Sequence, residues 1–188
     1  MAPNESLLNQ VAAAVGRAPQ YIEGAGEASI LAVAALSYGS LPQDHDATQP
    51  TGFDPEAAAL FEAIVESAFL VANADGEFDE TEQQAFRHVV VAACNGRVAE
   101  KQVNALLADL QDLLKEDGMD KRLRMVALYV RREDHAREVL RVAALIAAVS
   151  SGVSDEERDV LRKLAEELRL GEDALLSAVA EAERALAG

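Results

Sequence analysis

The sequence predicts an all-α fold, and three observations carry that expectation. Half of the 188 residues are apolar, aromatics are only 4%, and the apolar set is mostly Ala, Leu and Val, a balance that favours helix over sheet. No segment alternates apolar and polar residues with a period of two. Glycines and capping residues recur at the spacing of helix ends, and the apolar residues between them repeat at helical intervals.

Taken in order, Ser6 caps a first short helix over residues 6–16, with Leu7, Leu8, Val11 and Val15 on one face. After Gly24-Ala25-Gly26, an Ala-rich run over 27–38 forms a second helix. Residues 39–53 carry Pro42, Pro50 and Gly52 among Asp, Thr and Gln, and read as a linker. The chain therefore divides into an N-terminal helical extension and linker, 1–53, and an all-helical domain, 54–188. Asp54 caps the domain's first helix with Pro55 at its first position. That helix ends near Asp75-Gly76. The next runs from Asp79 to about Cys94 and stops at Asn95-Gly96. A third runs from about Ala99 to Glu116, where Asp117-Gly118 ends it. Helices follow over 120–131, 133–149, 154 to about 168, and 172–186, giving a compact bundle of about seven in the domain.

The formal net charge is −16, and it is unevenly placed. Residues 1–86 hold 14 acids and one base, Arg17, for −13; residues 87–188 hold 19 acids and 16 bases, for −3. A surface this acidic excludes a nucleic-acid groove and direct docking on anionic lipid. It suits cations, basic partner proteins or solubility alone. The bases that cluster late, Lys121, Arg122, Arg124, Arg131, Arg132, Arg137 and Arg141, read as solvated faces and as intramolecular partners of the acids. Cys94, the only cysteine, sits in an apolar run and reads as a small buried residue; with no disulfide to form, the chain is expected in a reducing, cytoplasmic compartment. No signal peptide is expected, and the longest apolar stretches fall short of the ~20 residues that span a bilayer. His45, between Asp44 and Asp46 in the linker, His88 and His135 form no metal set, and no Ser/His/Asp group, phosphate loop or thiolate pair is present, so no enzyme activity is expected.

Two acidic loops stand out. The first is Ala74-Asp75-Gly76-Glu77-Phe78-Asp79-Glu80-Thr81-Glu82; the second is Ser151-Gly152-Val153-Ser154-Asp155-Glu156-Glu157. Each has a glycine, an apolar residue, a capping residue and then Glu three positions after the cap, which suggests a duplicated helix-loop-helix. Gly76 and Gly152 are expected to end helices with positive φ. Asp79 and Ser154 are expected as N-caps, with Glu82 and Glu157 completing capping boxes. That account leaves Asp75, Glu77 and Glu80 unexplained. Against the calcium loop of the EF-hand, Asn73, Asp75, Gly76, Phe78, Asp79 and Glu82 fit the third, fifth, sixth, eighth, ninth and twelfth positions. Val71 at the first cannot ligate, so a true EF-hand is excluded. What stays open is a weaker oxygen site for Ca²⁺ or Mg²⁺ built from Asp75, Asp79, Glu82 and Glu157.

The first loop, together with Ala144-Leu145-Ile146-Ala147-Ala148, Gly152 to Glu157 and Leu161 to Leu168, resembles the signature of the TerB-like tellurite-resistance family over about residues 55–171. The same domain resembles the helical module that begins certain membrane-anchored J-domain co-chaperones. The resemblance implies a compact helical domain whose two loops approach each other and present an acidic patch suspected of binding a divalent cation. Asp75, Asp79 and Glu82 match the first loop, and Ser154 and Glu157 the second; Ser151 stands where the family pattern has Asp. It also implies a stress-related role, often beside membrane partners. Two functions follow as expectations. One is a non-enzymatic module that binds a cation, a basic protein partner, or both, through its loops. The other is a scaffold that self-associates or docks through residues 1–52, with the loops serving only as caps.

Overall fold

The computed structural model describes residues 4–19, 27–40, 53–149 and 152–187. Among them lie nine helices: α1 (Glu5–Gly16), α2 (Ile30–Gly39), α3 (Pro55–Ala72), α4 (Glu80–Ala93), α5 (Glu100–Asp117), α6 (Met119–Tyr129), α7 (Glu133–Ala147), α8 (Asp155–Glu167) and α9 (Glu172–Ala187). The all-α expectation holds, and most bounds agree with the caps read from the sequence. α1 is capped by Asn4, whose side chain accepts from the Ser6 N–H, so Ser6 lies inside the helix instead of capping it. α2 also differs. It begins at Ile30, capped by Ser29, rather than at Glu27. The chain before it is drawn into an antiparallel bridge between Ala28 and Arg17, with the Ala18 N–H donating to the Glu27 carbonyl. The Gly24-Ala25-Gly26 break and nearly all of the 39–53 linker, Asp44-His45-Asp46 included, lie outside the described residues.

Two helices form the centre. α3 is buried almost continuously from Ala63 to Val71, and α7 from Glu138 to Ala147. A helix that is apolar on every side has to be surrounded, and the other helices do this. α5, α6 and α8 wrap the α3 side, α9 lies along α7, and α4 stands one layer out against α1 and α5. α1 packs against α4, α7 and α9, and α2 lies along α3. Val11, Val15, Leu31, Ala34 and Ala35 of these N-terminal helices belong to the same continuous core as Phe61, Ile64 and Leu145. Tyr38 stacks on Phe61 with ring centroids 4.5 Å apart. α2 ends at Gly39, where a Cβ would collide with the Arg97 carbonyl oxygen, so the helix can approach the α4–α5 turn only with glycine there.

Two buried ion pairs cross this core. Arg141 is 2% exposed and Glu138 is fully buried. All five guanidinium N–H groups are used. Nε and Nη2 donate to Glu138 at 2.8 and 2.9 Å, and Nη1 donates to Glu181 of α9 at 2.7 Å. The other two reach the Ala14 carbonyl at 3.1 Å and the Arg17 carbonyl at 2.8 Å, closing the end of α1, where helix carbonyls have no partner of their own. Burial opposes the charge on Arg141, but the hydrogen bonds and charges of Glu138 and Glu181 outweigh it and hold the group protonated. In the second pair Arg122 donates to Glu66 of α3 at 2.6 Å and to Asp117 at 3.1 Å. Arg122 and Arg141 are therefore the intramolecular partners of acids that the sequence suggested, but in the interior and not on solvated faces. Lys121, Arg132 and Arg137 are paired at the surface, with Asp117, with Asp134, and with Glu133 and Asp173.

Removing one partner of a buried pair leaves an uncompensated charge, at a cost of about 3–5 kcal/mol. Arg141→Ala is expected to lose that much in urea unfolding, and to speed amide exchange throughout α1. Lys115→Ala, whose partner Asp112 is 83% exposed, is expected to lose less than about 1 kcal/mol.

Candidate functional site

The packing of α3 against α7 decides where the acidic loops go. Each central helix is followed by one loop and then by a helix of the outer layer, α4 or α8. The first loop turns at Gly76, φ 84°, and the second at Gly152, φ 86°, both in the left-handed region expected of helix-ending glycines. Asp79 caps α4. Its Oδ1 accepts from the Glu82 N–H at 2.9 Å, and Glu82 Oε2 accepts from the Asp79 N–H at 3.0 Å. Ser154 caps α8 in the same way: its hydroxyl accepts from the Glu157 N–H at 3.1 Å, and Glu157 Oε2 accepts from the Ser154 N–H at 2.7 Å. Both capping boxes stand as read from the sequence. Ser151 lies outside the described residues.

Two residues left unexplained by the sequence acquire structural roles. Asp75 Oδ1 accepts from the Glu77 N–H at 2.9 Å, which tightens the turn over Gly76. Glu80 accepts from Gln84 and from Arg87, each at 3.1 Å, along the first turns of α4. Phe78 anchors the loop from below. Its ring packs edge-on against Phe69 of α3 and Phe86 of α4, with centroids 5.6 and 5.8 Å away. The aromatic clamp joins residues nine apart on one side and eight on the other, so its only sequence signal is the apolar residue placed just before the cap.

The loops converge. Glu157, partly buried, is held above the usual carboxylate range first by burial and then by the negative charges of Asp75 and Glu82 across the gap between the loops; hydrogen bonds from Ser154 pull the other way without prevailing. Glu157 thus senses both loops at once. Asp75, Asp79, Glu82 and Glu157 share one further property. Each commits one carboxylate oxygen to a backbone N–H. Among the described residues the second carboxylate oxygen of each accepts no hydrogen bond. Among the described residues no three carboxylate, imidazole or thiol groups gather closely enough to enclose a metal ion together. The arrangement is a face of spare, mutually repelling oxygens at two helix N-termini, whose dipoles partly offset the charge.

Elsewhere the chemistry is quiet. Cys94 is fully buried, and burial pushes its thiol up to about 12, which removes it as a nucleophile at neutral pH. His88 is tied to Asn9 at 2.8 Å. His135 is pushed down by burial and stands beside Asp134 at the start of α7, far along the helix from the loop that follows it. Among the described residues no helix is long and apolar enough to cross a membrane.

A family model described as tellurite resistance protein TerB matches residues 61–180, the stretch that holds both loops, all of α7 and α3 from Phe61 onward. Comparison with curated proteins and with solved structures gives no match.

The raised Glu157 gives a pH test. A carboxyl group whose pKa is higher in the folded chain binds protons more readily there than in the unfolded chain, so stability falls as pH rises through the window between the two values. Glu157→Gln keeps an amide oxygen for the Ser154 N–H and removes the charge. It is expected to melt above the wild type at pH 7, and the difference is expected to vanish below about pH 4, where the unfolded carboxyl is itself protonated. A variant that melts lower than wild type at pH 7 would show that the cap needs the charge.

Proposed function

The chain belongs to the TerB tellurite-resistance family, and from that membership we propose that it is a non-enzymatic, stress-associated helical module whose paired acidic loops take up a divalent cation, a basic partner, or both. One observation supports this above the rest: Glu157 of the second loop feels the negative charges of Asp75 and Glu82 of the first, while each of these three commits only one carboxylate oxygen to a backbone N–H. A cation or a partner's Lys or Arg relieves that repulsion, so binding and loop stability are coupled.

The geometry favours one mode of cation binding. Calcium takes six to eight oxygen ligands, and a cage of that kind needs more convergence than these carboxylates have. Magnesium keeps several of its waters and is commonly held by one or two carboxylates. A hydrated ion bridging Glu157 to Asp75 or Glu82 fits the loops without rebuilding either capping box. The family's tie to tellurite describes a phenotype, and nothing in these residues suggests chemistry on tellurium oxyanions.

The alternative, assembly through the N-terminal helices, has less surface to work with than the sequence suggested. α1 and the inner face of α2 already contribute Val11, Val15, Leu31 and Ala35 to the core. Among the described residues of this segment, the large apolar side chains left exposed are Val33 and Leu36 of α2.

Calorimetric titration of Mg²⁺ and Ca²⁺ into chelator-treated protein, with melting curves in parallel, tests the cation mode. Saturable heat and a rise of several degrees are expected, since a ligand at 100 times its Kd stabilises by about 2.7 kcal/mol and each kcal/mol moves a domain of this size by about 2–4 °C. Asp75→Asn keeps the turn hydrogen bond and removes only charge, so it is expected to weaken binding with the fold intact. An unchanged affinity in Asp75→Asn and Glu82→Gln together would refute the cation site. No heat and no shift with either ion would leave a basic partner as the ligand of this face.

A further inference from the structure

α2 carries no charged residue, yet it lies at the surface. Its inner side meets α3, but Val33 is 54% exposed and Leu36 49%. Val33 lines a groove of about 970 Å³, whose floor continues through Leu60 of α3 to Tyr129 at the end of α6, itself 59% exposed. The groove's rim carries both signs. Glu27 and Glu56 come from the α2–α3 side, and Arg131 comes from the link between α6 and α7. Among the described residues none of the three makes an ion pair, although Arg132 beside them is satisfied by Asp134 at 2.6 Å. Glu56 lies in the first turn of α3, whereas the acidic loop follows its last turn, so an 18-residue helix, roughly 27 Å, separates the two faces.

We propose that this groove is a self-association surface that takes a second copy of this chain, with Val33 and Tyr129 at its apolar centre and Arg131 of each copy set against Glu27 and Glu56 of the other. A two-fold contact presents the same patch from both sides, so a patch with acids on one flank and a base on the other is complementary to itself. Both pairings are made twice. Aromatic and apolar residues inside a charged rim also match the anatomy of protein interfaces. The net charge of −16 opposes pairing of two copies. At physiological ionic strength, charges beyond roughly 8 Å are largely screened, and the opposite charges along the groove govern the contact. This proposal is independent of the acidic-loop reading and concerns a different face.

Sedimentation equilibrium of the full chain at 0.15 M salt, across micromolar to hundreds of micromolar protein, tests it. A reversible monomer–dimer equilibrium is expected. Val33→Glu is expected to weaken it by at least about tenfold, as loss of a central apolar contact does, with helicity unchanged. Arg131→Glu alone is expected to weaken it similarly, and the pair Arg131→Glu with Glu56→Arg to restore it, a rescue that a merely structural role does not give. A chain that stays monomeric over the whole range overturns the proposal. So does a dimer indifferent to both Val33→Glu and Arg131→Glu, which places the interface elsewhere. A monomer in which Val33→Glu lowers the melting temperature as a core substitution would also overturn it, because the chain then covers this face itself.

Discussion

The packing of α3 along α7 is the constraint from which most of the molecule follows. Both helices are apolar around their whole circumference over most of their length, and neither can stand at a surface. Once they lie together, the loop that follows each one emerges at the same end of the molecule. Of the helices after those loops, α8 closes over the central pair, and α4 packs on α1 and α5. The electrostatic contact of Glu157 with Asp75 and Glu82 is a product of this backbone arrangement, for among the described residues neither loop bonds directly to the other.

A second theme is how an acidic chain treats its few bases. The 17 Lys and Arg residues face 33 acids, and two of the arginines, Arg122 and Arg141, are interior. Neither is a surface charge left over from folding. Arg122 ties α6 to α3 through Glu66, and Arg141 ties α7 to α9 and to the end of α1. A buried pair adds little stability over an apolar replacement of the same shape, but it demands a geometry. Leucine at position 141 could slide against its neighbours, whereas a guanidinium with all five donors engaged fits one arrangement of three helices.

Much of the fold was legible in the sequence because the punctuation is local. Gly76, Gly118 and Gly152 mark helix ends through positive φ, and Asp54, Asp79 and Ser154 mark starts through hydrogen bonds two or three residues away. The start of α2 was misread although Ser29 caps it locally; what holds residues 27–28 extended before that cap is not local, a bridge from Ala28 to Arg17. The candidate site divides along the same line. The capping roles of Asp79, Glu82, Ser154 and Glu157 could be read from spacing. The convergence of the two loops rested on resemblance, since nothing in either loop specifies its distance from the other. The pairing of the late arginines with acids was read, but the burial of two of them was missed although a signal existed. Arg141 stands inside the otherwise apolar run from Val139 to Val149, three positions after Glu138, and Glu66 sits between Val65 and Ser67 in another. A charge in the middle of such a run faces the core or breaks the helix, and these helices are unbroken.

The grip of Arg141 on the end of α1 has a consequence for the order in which the chain assembles. The carbonyl of Ala14 and the guanidinium that caps it are 127 positions apart, and the capping arrangement includes Glu181, 40 positions further on. On a ribosome adding about 5–20 residues per second, the interval from Ala14 to Arg141 alone is roughly 6–25 s. For that time Val11 and Val15, both fully buried in the finished molecule, have neither α7 nor α9 to cover them. α1 is made well before α7 and α9 and is completed only when they arrive, so its apolar face is what a nascent-chain chaperone meets in that interval.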